Sequence, residues 1–330
     1  MKKRILTGLA SLFLLLCLTP AAHAQELLVG GQAVGIQISA DGVIVAGFCP
    51  VETGDGAMHP AEDAGLKTGD LIRGAGGRSV SDAASLIAAL EEGGEEISLQ
   101  IRRGAQELEL PVSPAVGEEG RPMLGILLRD GLSGIGTLTF CDPDSGVFGA
   151  LGHSISDSET GLTVPLRDGS ITEAQIVAVQ PGSAGTPGEL NGVSDLSRAL
   201  GTVERNTEVG IFGHMSAALG DRPAEIGLIT AGPASILATV EGRAPREFAV
   251  EINRVCRDSE GTHAMLTVTD PALLGRTGGI VQGMSGSPIL QNGRLVGAVT
   301  HVFLSDSARG YAVSIQDMLK ASGLVMDQAA

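Results

Sequence analysis

The sequence predicts a mainly β protein of two units, with its few helices concentrated in the first. Three observations carry this. The 330 residues include 48 glycines and 15 prolines but no tryptophan and one tyrosine, a composition of turns and closely packed strands rather than of a helical bundle. Beyond residue 120, short apolar segments alternate with turn signals at the spacing of barrels or sandwiches. Between Glu26 and Val112, strands instead interleave with helix patterns. A chain of this length accommodates about two domains, each with its own core.

Taken in order, the first element is a targeting segment. Lys2-Lys3-Arg4 precede an apolar run from Ile5 to Leu18, and Ala22-His23-Ala24 offers a small-residue cleavage site. The run is short for a membrane span. Residues 1–24 therefore read as a signal peptide, with an uncleaved N-terminal anchor as the competing reading, and an exported protein is expected. Cys49, Cys141 and Cys256 remain after Cys17, too odd a set for a disulfide framework.

From residue 26 to 112, Val34–Ser39 and Val43–Phe48 read as strands joined by a hairpin turn at Ala40-Asp41-Gly42. His59-Pro60-Ala61-Glu62-Asp63-Ala64-Gly65 reads as one helical turn started by Pro60. Ser81-Asp82 caps a helix carrying Leu86, Ile87 and Leu90, and two strands close the unit. This stretch, above all PAEDAGLKTGDLI at Pro60–Ile72, resembles a PDZ domain. The resemblance places a carboxylate-binding loop at Val34, Gly35 and Ile36. It implies a peptide groove between the Ile36–Ser39 strand and the Ser81–Glu92 helix, with Leu86 on the helix side. A peptide C-terminus or an extended segment would add a strand there. The bland alternative is a packing domain that binds nothing. Residues 113–120, SPAVGEEG, read as a linker, and residues 121–325 as the second unit, whose C-terminal cap at Ser314–Ser322 is helical.

The formal charge is −16, which argues against nucleic acid or an anionic membrane surface as partner. Neither HExxH nor CxxC is present, so no metal and no cofactor is expected.

Chemistry is concentrated in GGIVQGMSGSPILQNGRLVGAVTHV, Gly278–Val302. Ser285 stands between Gly283-Met284 and Gly286, before Pro288 and a hairpin with Asn292-Gly293 at its turn. A serine nucleophile needs such an exposed, tight turn, with N–H groups aimed at the oxygen that becomes negative. By analogy with the serine-protease template, those donors are the N–H groups of Gly283 and Ser285. A glycine-rich turn feeding a buried hairpin is the structural alternative. Ser287, beside Pro288, is the rival nucleophile but fits a turn-fixing role better. Cys141 is a poor candidate.

Among the histidines, His153 in GALGHSI follows a strand and a glycine and is preferred as base to His214 in FGHM. His301 lies inside a strand and reads as packed, His59 belongs to the first unit, and His263 to a turn. For the carboxylate that orients the base, Asp270 follows a strand, precedes Pro271 and lies fifteen residues before Ser285. A turn-forming role fits it equally.

The motifs VFGALGHSI (Val147–Ile155), NTEVGIFGHM (Asn206–Met215), VTDPALL (Val268–Leu274) and the Ser285 stretch together resemble the SpoIVB family of stage IV sporulation serine peptidases. What the resemblance implies is a chymotrypsin-like double β-barrel with the site between the barrels. His153 is its general base, Asp270 its orienter and Ser285 its nucleophile. Asp270 is nearer to Ser285 in sequence than the chymotrypsin plan places its acid. Also implied is a regulatory endopeptidase that cleaves a membrane-anchored regulator, and itself, in a sporulation sigma-factor checkpoint. In a sporulating host it would act in the space between the forespore and mother-cell membranes. The alternative from another class is a catalytically silent, PDZ-led envelope adaptor.

Overall fold

The computed structural model describes residues 26–157, 161–220 and 222–324. The export segment read over residues 1–24 lies outside them. No helix among the described residues is long and apolar enough to cross a membrane.

The chain opens with β1 (Glu26–Val29) and the long β2 (Ala33–Phe48). An α+β unit follows. Strands β3 (Val51–Thr53) and β4 (Gly56–Met58) form a small hairpin before α1 (Pro60–Asp63). Pro60 begins α1 because its missing N–H is not needed in a first turn. Next come β5 (Leu71–Ala75), β6 (Arg78–Ser79) and α2 (Ala83–Glu92). Asp82 accepts from the Ser85 amide while Ser85 Oγ accepts from the Asp82 amide, a reciprocal cap. Then β7 (Ile97–Arg103) and β8 (Gln106–Val112) pair along their whole length. Val43, Val45, Ile72, Leu86, Leu99 and Ile101 share one buried core. The expected linker is ordered instead: β9 (Ala115–Val116) pairs with β10 (Pro122–Met123), and Ala115 is buried.

The first barrel uses β2 with β11 (Ile126–Cys141), β12 (Val147–Ala150), β13 (Leu166–Gln180), β14 (Glu189–Thr207) and β15 (Gly210–Met215). Antiparallel ladders close it in the order β2-β11-β12-β15-β14-β13 and back to β2. Ile38, Leu138, Phe148, Ile171 and Ile211 fill its interior. Strand β16 (Arg222–Glu225) pairs with β1 and leads onward.

The second barrel is built from β17 (Gly232–Ala238), β18 (Arg246–Asp258) and β19 (Gly261–Val268), then α3 (Pro271–Thr277). Strands β20 (Pro288–Gln291), β21 (Arg294–Phe303) and β22 (Asp306–Ser314) complete it, and α4 (Ile315–Ser322) follows. It closes as β17-β18-β19-β22-β21-β20. Both barrels therefore repeat one strand order. Phe140, Phe212, Leu290, Ala298, Met318 and Leu319 are buried together where the barrels and α4 meet. The Ser314 hydroxyl accepts from the Asp317 amide and caps α4.

The expected boundary between the two units gives way to an insertion. Residues 40–42 make no hairpin, and β2 runs through them as one strand. Gly42, at φ +134°, bends it where an added Cβ would meet the Ile72 carbonyl. The two halves of β2 then serve different units. Val34, Gly35 and Ile36 lie opposite Gly136, Ile135 and Gly134 on one side and Glu173, Thr172 and Ile171 on the other. They are barrel wall, with both edges paired, and form no carboxylate-binding loop. Strand β11 returns alongside: Ile126, Leu127, Leu128 and Arg129 pair with Phe48, Gly47, Val45 and Ile44. The first barrel thus begins at β2, well before residue 121, and the α+β unit is inserted between its first two strands.

The predicted groove is likewise corrected. Ile36–Ser39 is paired along both edges within the barrel, and β11 fills the edge of the half-strand that does belong to the α+β unit. The Ala83 amide, at the start of α2, donates to Asp130 on that same β11 at 3.0 Å. Leu86 points into the core at 1% exposure, whereas Ile87 is 49% exposed. Leu86→Ala is therefore expected to destabilise the unit by about 2–5 kcal/mol, seen as a lower melting temperature by circular dichroism.

Candidate active site

Ser285 lies in the connection from α3 to β20, and the hydrogen bonding of that connection alternates. The peptide from Gly283 to Met284 is tied at both ends: Thr137 Oγ1 donates to the Gly283 carbonyl at 2.8 Å, and the Met284 amide donates to Val281. The peptide from Ser285 to Gly286 is tied likewise, by the Thr137 amide at 2.9 Å and by the Val299 carbonyl. The peptide before the first and the one between the two are held only by their carbonyls. Gln282 accepts from Leu190 and Met284 from Ser287. This leaves the N–H groups of Gly283 and Ser285 with no protein acceptor among the described residues. These are the two donors expected from the sequence. An oxyanion site needs such fixed, unspent donors, because reorienting them during reaction would cost part of the gain.

Glycine at 286 follows from the packing. At φ +94°, its missing Cβ leaves room for the Leu151 backbone and the Thr137 carbonyl. The loop bearing His153 thereby lies directly against the loop bearing Ser285. Thr139 Oγ1 also donates to the Gly286 carbonyl at 2.8 Å. The first barrel thus fixes the nucleophile loop of the second.

His153 and Ser285 line one cavity of about 880 Å³, with Thr300 and His301 between the walls. The Ser285 hydroxyl donates to the Thr300 carbonyl at 2.7 Å. His153 Nδ1 lies 2.8 Å from the Ser154 carbonyl, which fits an Nδ1–H tautomer and leaves Nε2 as the basic nitrogen. Its ring stacks at a tilt on His301, centroids 4.5 Å apart. Desolvation lowers His153 to about 4, opposed by the Ser154 bond and reinforced by His301. Desolvation lowers His301 as well. At neutral pH both rings are uncharged, the state a general base requires.

Asp270 is not brought to His153. Its Oδ1 accepts from the amides of Ala272 and Leu273, capping α3, and Oδ2 accepts from Ala249 at 3.3 Å. Burial raises its carboxyl, but the Leu273, Ala249 and Ala272 amides and the Arg246 charge outweigh this and hold it below its ordinary value. In this structure the turn-forming reading of Asp-Pro wins over the orienting one. Ser287 is fully buried, which closes it to substrate, and its hydroxyl has no partner among the described residues. His214 is exposed on the outside of β15, paired with Glu204. His59 pairs with Glu62. Burial raises the Cys141 thiol, keeping it protonated.

Thr137, Thr139 and Glu208 escape a sequence reading of the site, and Ile36 escapes it as a residue of this cavity. Thr137 and Thr139 sit more than 140 positions from the loop they hold, and no local signal marks them. Ile36 faces the same cavity as Ser285. Glu208, in the turn between β14 and β15, lines it too, and its only sequence signal is the Asn-Thr-Glu-Val-Gly turn pattern. As for metals, Asp258, Glu260 and His263 come within 4.8 Å of one another. Both carboxylates are exposed and Asp258 Oδ1 already accepts from Glu260 and Gly261 amides, so no ion is assigned there.

Residues 120–319 match the model of the SpoIVB peptidase S55 family, more than half of the chain. The chain belongs to the SpoIVB peptidase S55 family. Residues 59–103 match a PDZ domain, so the inserted unit of this SpoIVB peptidase is a PDZ domain. Serine protease HTRA1 of Xenopus tropicalis is 42% identical over 55 residues, 17% of this chain and only 12% of that relative's length. Among solved structures, the active form of the Rv3671c protease of M. tuberculosis is similar at 14% identity and TM-score 0.33, covering 60% of this chain and 76% of that one. The thermostable serine protease AL20 of an extremophilic microorganism matches at 11% and 0.33, over 58% and 92%. These scores are low, and the double-barrel assignment rests on the strand order.

Three outcomes are expected, two of them with pH. Because native His153 stays neutral down to about pH 4, the acid limb of kcat/KM lies near there rather than near 6.5. By the same linkage, the unfolded chain takes up this proton first, so stability falls as pH drops from about 6.5 to 4. A pH–rate profile and a melting series check both. Thr137→Val, which removes the donor to Gly283, lowers kcat by roughly tenfold with little change in KM.

Proposed function

We propose that this chain is an exported serine endopeptidase of regulatory type, attacking through Ser285 with His153 as general base. The observation that carries the reading is the pair of unspent N–H groups at Gly283 and Ser285, across the cavity from a neutral imidazole. In the first step the Ser285 hydroxyl leaves the Thr300 carbonyl and its oxygen adds to the scissile carbonyl carbon. His153 Nε2 takes the hydroxyl proton. The carbonyl electron pair moves onto oxygen, which the Gly283 and Ser285 amides receive. Collapse breaks the C–N bond, His153 returns its proton to the leaving amine, and water repeats the sequence on the acyl-enzyme. Ile135, Ile280, Val281, Val302 and Leu304 give the cavity beside Ser285 an apolar wall, suited to apolar side chains next to the scissile bond.

The resemblance to the SpoIVB family supports the biological setting of this reading. The substrate is a membrane-anchored regulatory protein, and the chain also cuts itself near its N-terminus. In a sporulating host it acts in the space between forespore and mother-cell membranes, in a sigma-factor checkpoint. The export pattern of residues 1–24 suits that location. A second reading keeps one specific observation: the Ser285 hydroxyl is engaged with Thr300, and the nearest hydrogen-bond partner of His153 is a carbonyl. A catalytically silent adaptor would look the same.

Intact mass of the purified full chain, followed over time beside Ser285→Ala and Ser287→Ala, separates these. The peptidase reading expects the parent and Ser287→Ala to trim themselves beside apolar residues. Ser285→Ala, slowed by about 10⁶-fold, stays whole. Trimming of all three alike, or of none, favours the adaptor.

A further inference from the structure

Among the described residues no carboxylate pairs with His153 Nδ1, whose partner is the neutral Ser154 carbonyl. A carboxylate is nevertheless close at hand. The turn from β14 to β15 is clamped to the chain on both sides of His153. On one side, Asn206 accepts from the Ile155 amide and donates to the Ile155 carbonyl, both at 2.8 Å. On the other, Gly210 packs on the strand end before His153: a Cβ there would lie 2.8 Å from the Ala150 carbonyl and 3.4 Å from the Gly152 amide. Glu208 lies midway in sequence between Asn206 and Gly210, whose contacts flank His153. It lines both cavities that His153 lines. Its Oε1 accepts from Thr163 Oγ1 at 3.1 Å, and Thr163 Oγ1 also lies 3.3 Å from Ser154 Oγ. The residue whose carbonyl now holds His153 Nδ1 thus shares a hydroxyl neighbour with the Glu208 carboxylate.

We infer that Glu208 is the positioning carboxylate of this site, turning from Thr163 to accept the Nδ1–H of His153 when substrate enters. The inference rests on the serine-peptidase reading above. Glu208 fixes the tautomer with Nε2 free and stabilises the imidazolium after proton transfer, as a triad acid does. It reaches His153 from the same barrel, whereas Asp270 is spent on α3. Exposure in the free chain is no obstacle, because a docked peptide would cover the cavity and strengthen the pair by excluding water.

The test is the second-order rate at which a fluorophosphonate probe labels Ser285 in the full chain at pH 7. Glu208→Gln is the informative change. Its amide oxygen still accepts from Thr163, so a merely structural role predicts an unchanged rate. The inference expects a fall of about 10²-fold or more at an unchanged melting temperature, with Glu208→Asp recovering at least a tenth of the parent rate. Asp270→Asn is expected to label within about threefold of the parent while melting lower, from its weakened cap. Labelling of Glu208→Gln within twofold of the parent overturns the inference. So does a 10²-fold loss in Asp270→Asn at an unchanged melting temperature. A folded parent that never labels is a different result: it overturns the peptidase reading and this inference with it.

Discussion

Thr137 donates twice into the serine loop, from its hydroxyl to Gly283 and from its amide to Ser285. Both bonds cross from one barrel to the other. Pinning alternate peptides is what leaves the intervening N–H groups pointing free, so the donors for a developing charge are set before any substrate arrives. The arrangement depends on close approach of the two barrels, which the apolar layer around Phe140 and Phe212 supplies and which glycine at 286 permits. Packing between the barrels and polarity at the site are therefore one problem with one solution.

The electrostatics of the site follow from the same closeness. Burial in the cavity holds both imidazoles neutral, and the neighbouring His301 adds to the effect on His153. A low proton affinity keeps His153 available as a base but makes it a reluctant one. A carboxylate that arrives only with substrate would raise its affinity at the moment the proton moves. Such timing avoids keeping a buried ion pair in the empty cavity, where desolvation is costly.

How much of this was legible in the sequence depends on whether the signal was local. Ser285, its flanking glycines and the Asn292-Gly293 turn are contiguous, and their roles follow from dihedral needs alone. His153 is marked by a glycine at a strand end. The Pro60 and Asp82 helix starts are local caps and were equally readable. Asp270 misleads because Asp-Pro carries two meanings, and only the amides of Ala272 and Leu273 decide between them. Val34-Gly35-Ile36 misleads for another reason: a strand followed by Asp-Gly reads as half a hairpin, while its true partners on β11 lie about a hundred positions later. Leu86 and Ile87 are neighbours on an apolar helix, and the phase of burial between them is set by tertiary contact. Thr137, Thr139 and Glu208 were silent because what defines them is a partner far away in the chain.

The insertion of the PDZ domain between the first two barrel strands has a mechanical consequence. Its two attachment points are neighbouring strands of one ladder, so the domain behaves as a handle welded to the barrel rather than a bead on a string. A nick in the inserted stretch severs the covalent path yet leaves both strands zipped from Ala33–Thr137 to Phe48–Ile126. A load placed on the domain runs lengthwise along β11, in shear, and arrives at Thr137. Clipping the chain ahead of residue 121, by contrast, strips the barrel of β2 and bares the edges of β11 and β13.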